Sequence, residues 1–228
     1  MIGTIVNALA IVAGSIIGLL CRGGIPPAYN QTVMQAIGLA VILIGFKSAL
    51  KADDLLLLIF SLAIGSVLGE WLKIELRLER LGQWLQRRMA LAGDGIAKGF
   101  VSASLLFCVG SMAIVGALES GLSGNHQTLF AKSVLDGITA IIFTSALGIG
   151  VIFSAAAVFI YQGLITLSAS SIREFLLPPA IDQMTAVGGV LIIAIGINIL
   201  EIKRIRVGNM LPAIFLPLVY FILRQLWA

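Results

Sequence analysis

Charge is what this sequence has least of. Asp, Glu, Lys and Arg make up 11% of its 228 residues, against roughly 25% in ordinary soluble domains. That is too little to cover a wet surface, which excludes a soluble globular enzyme or binding module. A single histidine, His126, leaves no histidine-based metal centre. The two cysteines, Cys21 and Cys108, lie in or beside apolar runs without ligand spacing, so neither a disulfide framework nor a zinc site is expected. Walker loop, dinucleotide fingerprint, Ser/His/Asp set and metal-binding box are all missing. No cofactor is expected, and no nucleophile and base pair up for an intramembrane enzyme. The net charge of +4 would suit a nucleic-acid partner, but the basic residues cluster in two short loops between apolar runs. That clustering is the positive-inside pattern of a membrane protein.

What the chain has in abundance is apolar length, with 59% hydrophobic residues. A bilayer-spanning helix needs about 20 apolar residues, and such runs recur at 2–20, 33–50, 55–72, 100–118, 185–200 and 207–223. The first run lacks a basic leader and a small-x-small cleavage site, and is expected to be a retained span. The stretch 134–170 is too long for one helix, at ~55 Å, to cross a hydrocarbon layer of about 30 Å. Either it tilts strongly, giving seven spans, or it turns near Gly148 and Gly150, giving eight. Lys73, Arg77, Arg80, Arg87, Arg88 and Lys98 put 73–98 in the cytoplasm and the N-terminus outside. Eight spans also bring Lys203, Arg204 and Arg206 inside.

An internal repeat favours eight. Pro26-Pro-Ala-Tyr-Asn-Gln31 matches Pro178-Pro-Ala-Ile-Asp-Gln183, and, after one deletion, Gly38 through Lys47 lies over Gly189 through Asn198. Gly3 through Ala10 lies over Gly150 through Ala157, and Leu58-Ile-Phe60 over Ala213-Ile-Phe215. Spans 1–3 thus resemble spans 6–8. The copies start five spans apart, an odd number, so they enter the membrane from opposite sides, as in many secondary transporters. The expected fold is all-α, a polytopic bundle of eight transmembrane helices in one membrane domain, 1–228. Copy A covers 1–72, a cytoplasmic amphipathic segment 73–97, two short or broken central spans 98–149, and copy B 150–228.

Several residues are candidates for a solute or ion pathway. Asp136 lies inside span 5, where an ionisable group is costly unless paired or wetted. Lys132 is one turn earlier on the same face, and Glu119 ends span 4 on the same outer side. The three would form a vestibule or coupled site; the plainer reading is an interfacial ion pair. Cys108, Gly110 and Ser111 interrupt span 4, either opening backbone carbonyls to a cavity or allowing close packing. Asn7 and Ser154 occupy matching places in spans 1 and 6, and Lys47 and Asn198 in spans 2 and 7. They suit a pathway opened alternately to either side, or else snorkelling for Lys47 and interhelical hydrogen bonds for the rest. Gly14/Gly18 and Gly65/Gly69 are small-residue packing faces, within the chain or between protomers. Trp71, Ile74, Leu78, Leu81, Leu85 and Met89 outline an amphipathic surface helix, and His126 a solvated loop.

Phe107-Cys-Val-Gly-Ser-Met-Ala-Ile-Val-Gly-Ala-Leu118, followed by Gly121, Lys132-Ser133 and Asp136-Gly137, resembles the YdfK-like and YqgA-like bacterial inner-membrane proteins. That family is catalogued as a domain of unknown function, and the resemblance covers the whole chain. It implies a bacterial cytoplasmic membrane and a transport role, with no site residues to carry over. The reading is therefore a small secondary transporter, not an enzyme, moving a small solute or ion along a path between the copies. Its partners would be the lipid bilayer and further copies of itself in a homo-oligomer. A channel-like pore and a non-transporting scaffold or sensor are the alternatives.

Overall fold

The structure, a computed structural model, describes residues 1–21, 27–80, 96–108, 111–172 and 177–227. Their regular structure is helical, with no strand among the described residues. In chain order the helices are α1 (Ile2–Cys21), α2 (Pro27–Ala49), α3 (Leu55–Leu72), α4 (Ile96–Cys108), α5 (Ser111–Leu122), α6 (Gln127–Leu147), α7 (Ser154–Leu167), α8 (Ala169–Ile172), α9 (Pro178–Ile199) and α10 (Leu216–Trp227). Two 3-10 segments, Ile149–Phe153 and Val207–Phe215, lead into α7 and α10. Among the described residues six helical runs are long and apolar enough to cross a membrane. The pair Ile96–Cys108 and Met112–Leu122, bent by 60°, makes a seventh if taken as one span, and Met34–Ala49 within α2 is a shorter apolar helix.

Local chemistry sets the boundaries. Asp54 caps α3, its carboxylate accepting from the Leu57 amide at 3.0 Å, which satisfies an otherwise unpaired N–H at the helix start. Lys73 closes the same helix in the left-handed region at φ 52, and the chain turns helical again over 74–80. Trp71 therefore belongs to α3 and not to a surface helix with Ile74. The rest of that amphipathic face, including Leu81, Leu85 and Met89, lies outside the described residues, as does Pro26 of the repeated motif. Gly148, at φ 83 and ψ −168, occupies backbone space essentially reserved for glycine. It ends α6, and so breaks the long run at 134–170.

Two boundaries differ from the sequence reading. The helix of the stretch read as starting at 134 begins earlier, at Gln127, a short turn after α5 ends at Leu122. The early polar residues of α6 are accommodated by internal partners. The Thr128 hydroxyl donates to Glu119 Oε2 at 2.7 Å, and Ser133 donates back to the Leu129 carbonyl at 2.7 Å. Span 5 is thus a 21-residue helix, not a short one. The helix expected over 185–200 begins earlier, at Pro178, where proline suits the first turn because its missing N–H has no partner to lose.

The chain forms two compact units, each drawing helices from both ends of the sequence. One comprises Met1–Met34, Arg77–Cys108 and Met112–Ser170; the other comprises Gln35–Leu76, Val109–Ser111 and Ser171–Ala228. In the first unit α1 and α6 run parallel and very close. Gly3 abuts Leu129, Gly14 meets the Gly137 carbonyl and Ala140, and Gly18 meets Ile141 and Thr144. Gly99 of α4 lies against the turn into the first 3-10 segment, and Gly150 meets Ile96. In the second unit α9 forms the centre, with 78% of its apolar window buried against 22% for α3. It runs antiparallel to α2 through Gly45 on Gly189 and Gly38 on Gly196. α3 likewise lies antiparallel to the segment Val207–Phe215, Gly65 on Ala213 and Gly69 on Asn209. Both small-residue pairs, Gly14/Gly18 and Gly65/Gly69, are therefore spent inside a unit. The outward faces carry large apolar side chains such as Leu9, Leu43, Ile64, Leu135 and Leu164, an exterior suited to hydrocarbon and not to water.

Candidate functional site

Helical spacing aims three polar stripes into the first unit. On α6, Lys132, Asp136 and Thr144 lie four or eight residues apart and so share a face. On α7 the buried polar residues are Ser154, Gln162 and Thr166, and on α1 they are Thr4, Asn7 and Ser15. The stripes meet at Asp136, near the middle of α6. Its Oδ2 accepts from Lys132 Nζ at 2.6 Å and from Asn7 Nδ2 at 3.0 Å. Asn7 Nδ2 also donates to Gln162 Oε1 at 3.3 Å. Lys132 and Asp136 are each 6% exposed, while Asn7 and Gln162 are fully buried. Cys108, half-buried, ends α4.

The cluster is not closed. Among the described residues, Asn7 Oδ1 and Gln162 Nε2 have no hydrogen-bond partner, nor do the hydroxyls of Thr4, Ser15, Thr144 and Thr166. Buried polar atoms are ordinarily satisfied, and leaving one unpaired costs about 1–3 kcal/mol. The buried ion pair is thus flanked by an acceptor and a donor that have no partner among the described residues.

The other candidate residues are placed elsewhere. Glu119 does not join Asp136; it receives Thr128 at the α5–α6 turn. His126 in that turn is not simply solvated, since its Nδ1 shares a 2.9 Å hydrogen bond with Ser120. Ser154 donates to the Val151 carbonyl at 2.6 Å. Asn198 clamps the loop after α9, accepting from the Ile205 amide at 2.7 Å and donating to its carbonyl at 2.8 Å. Lys47 is exposed in the last turn of α2. Gly110 lies outside the described residues, and Ser111 begins α5. Gln162 was absent from the candidates, although its eight-residue spacing from Ser154 inside an apolar helix signals a buried polar face. Asn7, a pathway candidate matched in the repeat to Ser154, is bonded instead to Asp136. It reaches the carboxylate because Gly14 and Gly18 let α1 lie directly on α6.

Comparison with known proteins agrees with this membrane architecture. The family described as "Protein of unknown function (DUF554)" matches residues 2–222. "Uncharacterized membrane protein YdfK" of Bacillus subtilis (strain 168) is 37% identical over 221 residues, 95% of this chain and 94% of its own. "Uncharacterized protein YqgA" of Escherichia coli (strain K12) is 30% identical over 223 residues, covering 96% and 95%. No solved structure matches. With a family match over nearly its whole length and two full-length relatives, this helical membrane protein belongs to the DUF554 family.

Proposed function

We propose that the protein is a small secondary transporter of the bacterial cytoplasmic membrane, moving a small solute by alternating access. The observation that carries the reading is the buried Lys132–Asp136 pair, bonded to Asn7 and, through it, to Gln162, with unpaired polar atoms around it. Ionisable residues at membrane depth are costly and mark substrate or ion pathways. A scaffold would have no use for unsatisfied polar atoms in its interior.

Eight spans in an inverted repeat give this site its means of facing either side, and contacts within the second unit support that topology. Gly38 matches Gly189 in the repeat, and Gly45 matches Gly196. The packing is crossed, Gly38 on Gly196 and Gly45 on Gly189. Reciprocal contact of this kind is what a two-fold axis between two copies produces. The loop connections agree. Lys51 pairs with Asp182 at 3.7 Å, and the Asp54 amide donates to Gln183 Oε1 at 3.4 Å. At the other end of α3, Glu70 pairs with Arg206 at 3.1 Å, and the Glu75 amide donates to Asn209 Oδ1 at 2.7 Å. Eight spans put each set of partners on one side of the membrane; seven would divide both sets. The site itself joins α1 of copy A to α7 of copy B through Asn7 and Gln162, with α6 between the copies in sequence. A transporter can thus couple the exchange of copies to the exposure of Asp136.

A thermal-shift screen of the purified protein against ions and common metabolites, with Asp136→Asn in parallel, tests the function. A ligand at about 100 times its dissociation constant stabilises by roughly 2.7 kcal/mol. At least one ligand is expected to stabilise the parent and not the variant, and to show saturable flux in liposomes. A ligand whose flux never saturates would point to a pore. Absence of any ligand response, with no flux, would leave a scaffold.

A further inference from the structure

The charges and unpaired atoms of the same cluster say what kind of solute fits it. The inference rests on the transporter reading and goes beyond it. Among the described residues, Lys132 and Asp136 are the only buried charged side chains, so the interior is electrically neutral. A lone cation bound at Asp136 would strand the Lys132 ammonium, and a lone anion bound at Lys132 would strand the carboxylate. Either leaves an uncompensated buried charge, the most unfavourable outcome for a broken buried pair. A neutral polar solute avoids that penalty but brings no charge to separate the two ions.

We infer that the solute is a small zwitterion of the amino-acid kind, which opens the Lys132–Asp136 pair and replaces it with two ion pairs. Its ammonium would meet Asp136 and supply a donor to the unpaired Asn7 Oδ1. Its carboxylate would meet the Lys132 ammonium that Asp136 releases. The net buried charge stays at zero throughout. The four side chains form one connected series, Lys132 Nζ to Asp136 Oδ2, Asp136 Oδ2 to Asn7 Nδ2, and Asn7 Nδ2 to Gln162 Oε1, so the carboxylate that meets the ammonium is the one that holds Asn7. Size is limited by Gly14 and Gly137, where α1 and α6 touch next to Asp136; a solute with a bulky side chain would have to part the helices.

The test compares a zwitterion with its charged halves on the purified full-length protein at neutral pH and matched ionic strength. Glycine and β-alanine are set against methylamine and acetate, and thermal stability is followed with concentration. At least one zwitterion should raise the melting temperature along a saturating curve, with the two halves weaker by about tenfold or more. Asp136→Asn, which leaves a net positive site, should respond to acetate instead. Lys132→Gln should respond to methylamine. If a variant does not fold, the comparison on the parent protein still decides. Methylamine or acetate matching the zwitterions would overturn the zwitterion while leaving the transporter intact. No saturating response to either zwitterion would also overturn it, and the wider metabolite screen then decides whether any solute is carried.

Discussion

Asp136→Ala should lower the stability of the protein by about 3–5 kcal/mol, the usual cost of removing one member of a buried ion pair. The cause is less the lost attraction than the Lys132 ammonium, which keeps its charge in a place that is 6% exposed and loses the oxygen it held at 2.6 Å. Asn7 would lose an acceptor at the same time. Replacing both ions with apolar residues, Lys132→Met with Asp136→Leu, should recover the parent's stability or exceed it, by up to about 4 kcal/mol. Such a double variant would fold well and bind nothing. Unfolding in mixed micelles, followed by helical circular dichroism, measures both. An Asp136→Ala variant within about 1 kcal/mol of the parent would mean the pair is solvated, and the site would lose its physical basis.

The second large effect concerns how α1 meets α6. A methyl group added at Gly14 would run into the Gly137 backbone carbonyl and stand 3.2 Å from the Ala140 side chain; one at Gly18 would meet the Ile141 carbonyl and Thr144. Backbone cannot swing aside as a side chain can, so the helices must separate. Overpacking of a tight core usually costs about 1–3 kcal/mol, and Gly14→Val should reach or pass the upper end. Because Asn7 touches Asp136 only through this contact, Gly14→Val should also abolish any ligand response. Gly163 is the control. Its nearest neighbour is the tip of Met1 at 3.6 Å, and alanine is the better helix former by about 0.8–1 kcal/mol. Gly163→Ala should be neutral or mildly stabilising. Equal behaviour of Gly14 and Gly163 variants would contradict the close packing of α1 on α6.

Much of this architecture was legible before the structure. Apolar length and low charge identify a helical membrane protein, and the run at 55–72 coincides with α3. The Gly148 break follows from a run too long to cross once. The Lys132–Asp136 pair is a local, i,i+4 relation, which helix geometry alone supplies. The rest was hidden because it depends on distant residues. Asn7 and Asp136 are separated by 129 positions, and nothing in a local pattern joins them. Gln162 looks unremarkable in an apolar helix until α1 lies beside it. The start of α6 lies ahead of the apolar run at 134, because Thr128 finds its partner, Glu119, only across the folded turn. The two bonds from Asn198 to Ile205 are likewise invisible until the loop after α9 folds back.

Alternating access at one buried cluster requires that the chain cross the membrane eight times as two oppositely inserted copies. Topology reporters fused after Ser171 and after Arg204 test this most directly. The account predicts an outside signal at Ser171 and a cytoplasmic signal at Arg204. The reverse pattern would mean that 134–170 crosses once, and the inverted repeat would be lost with it.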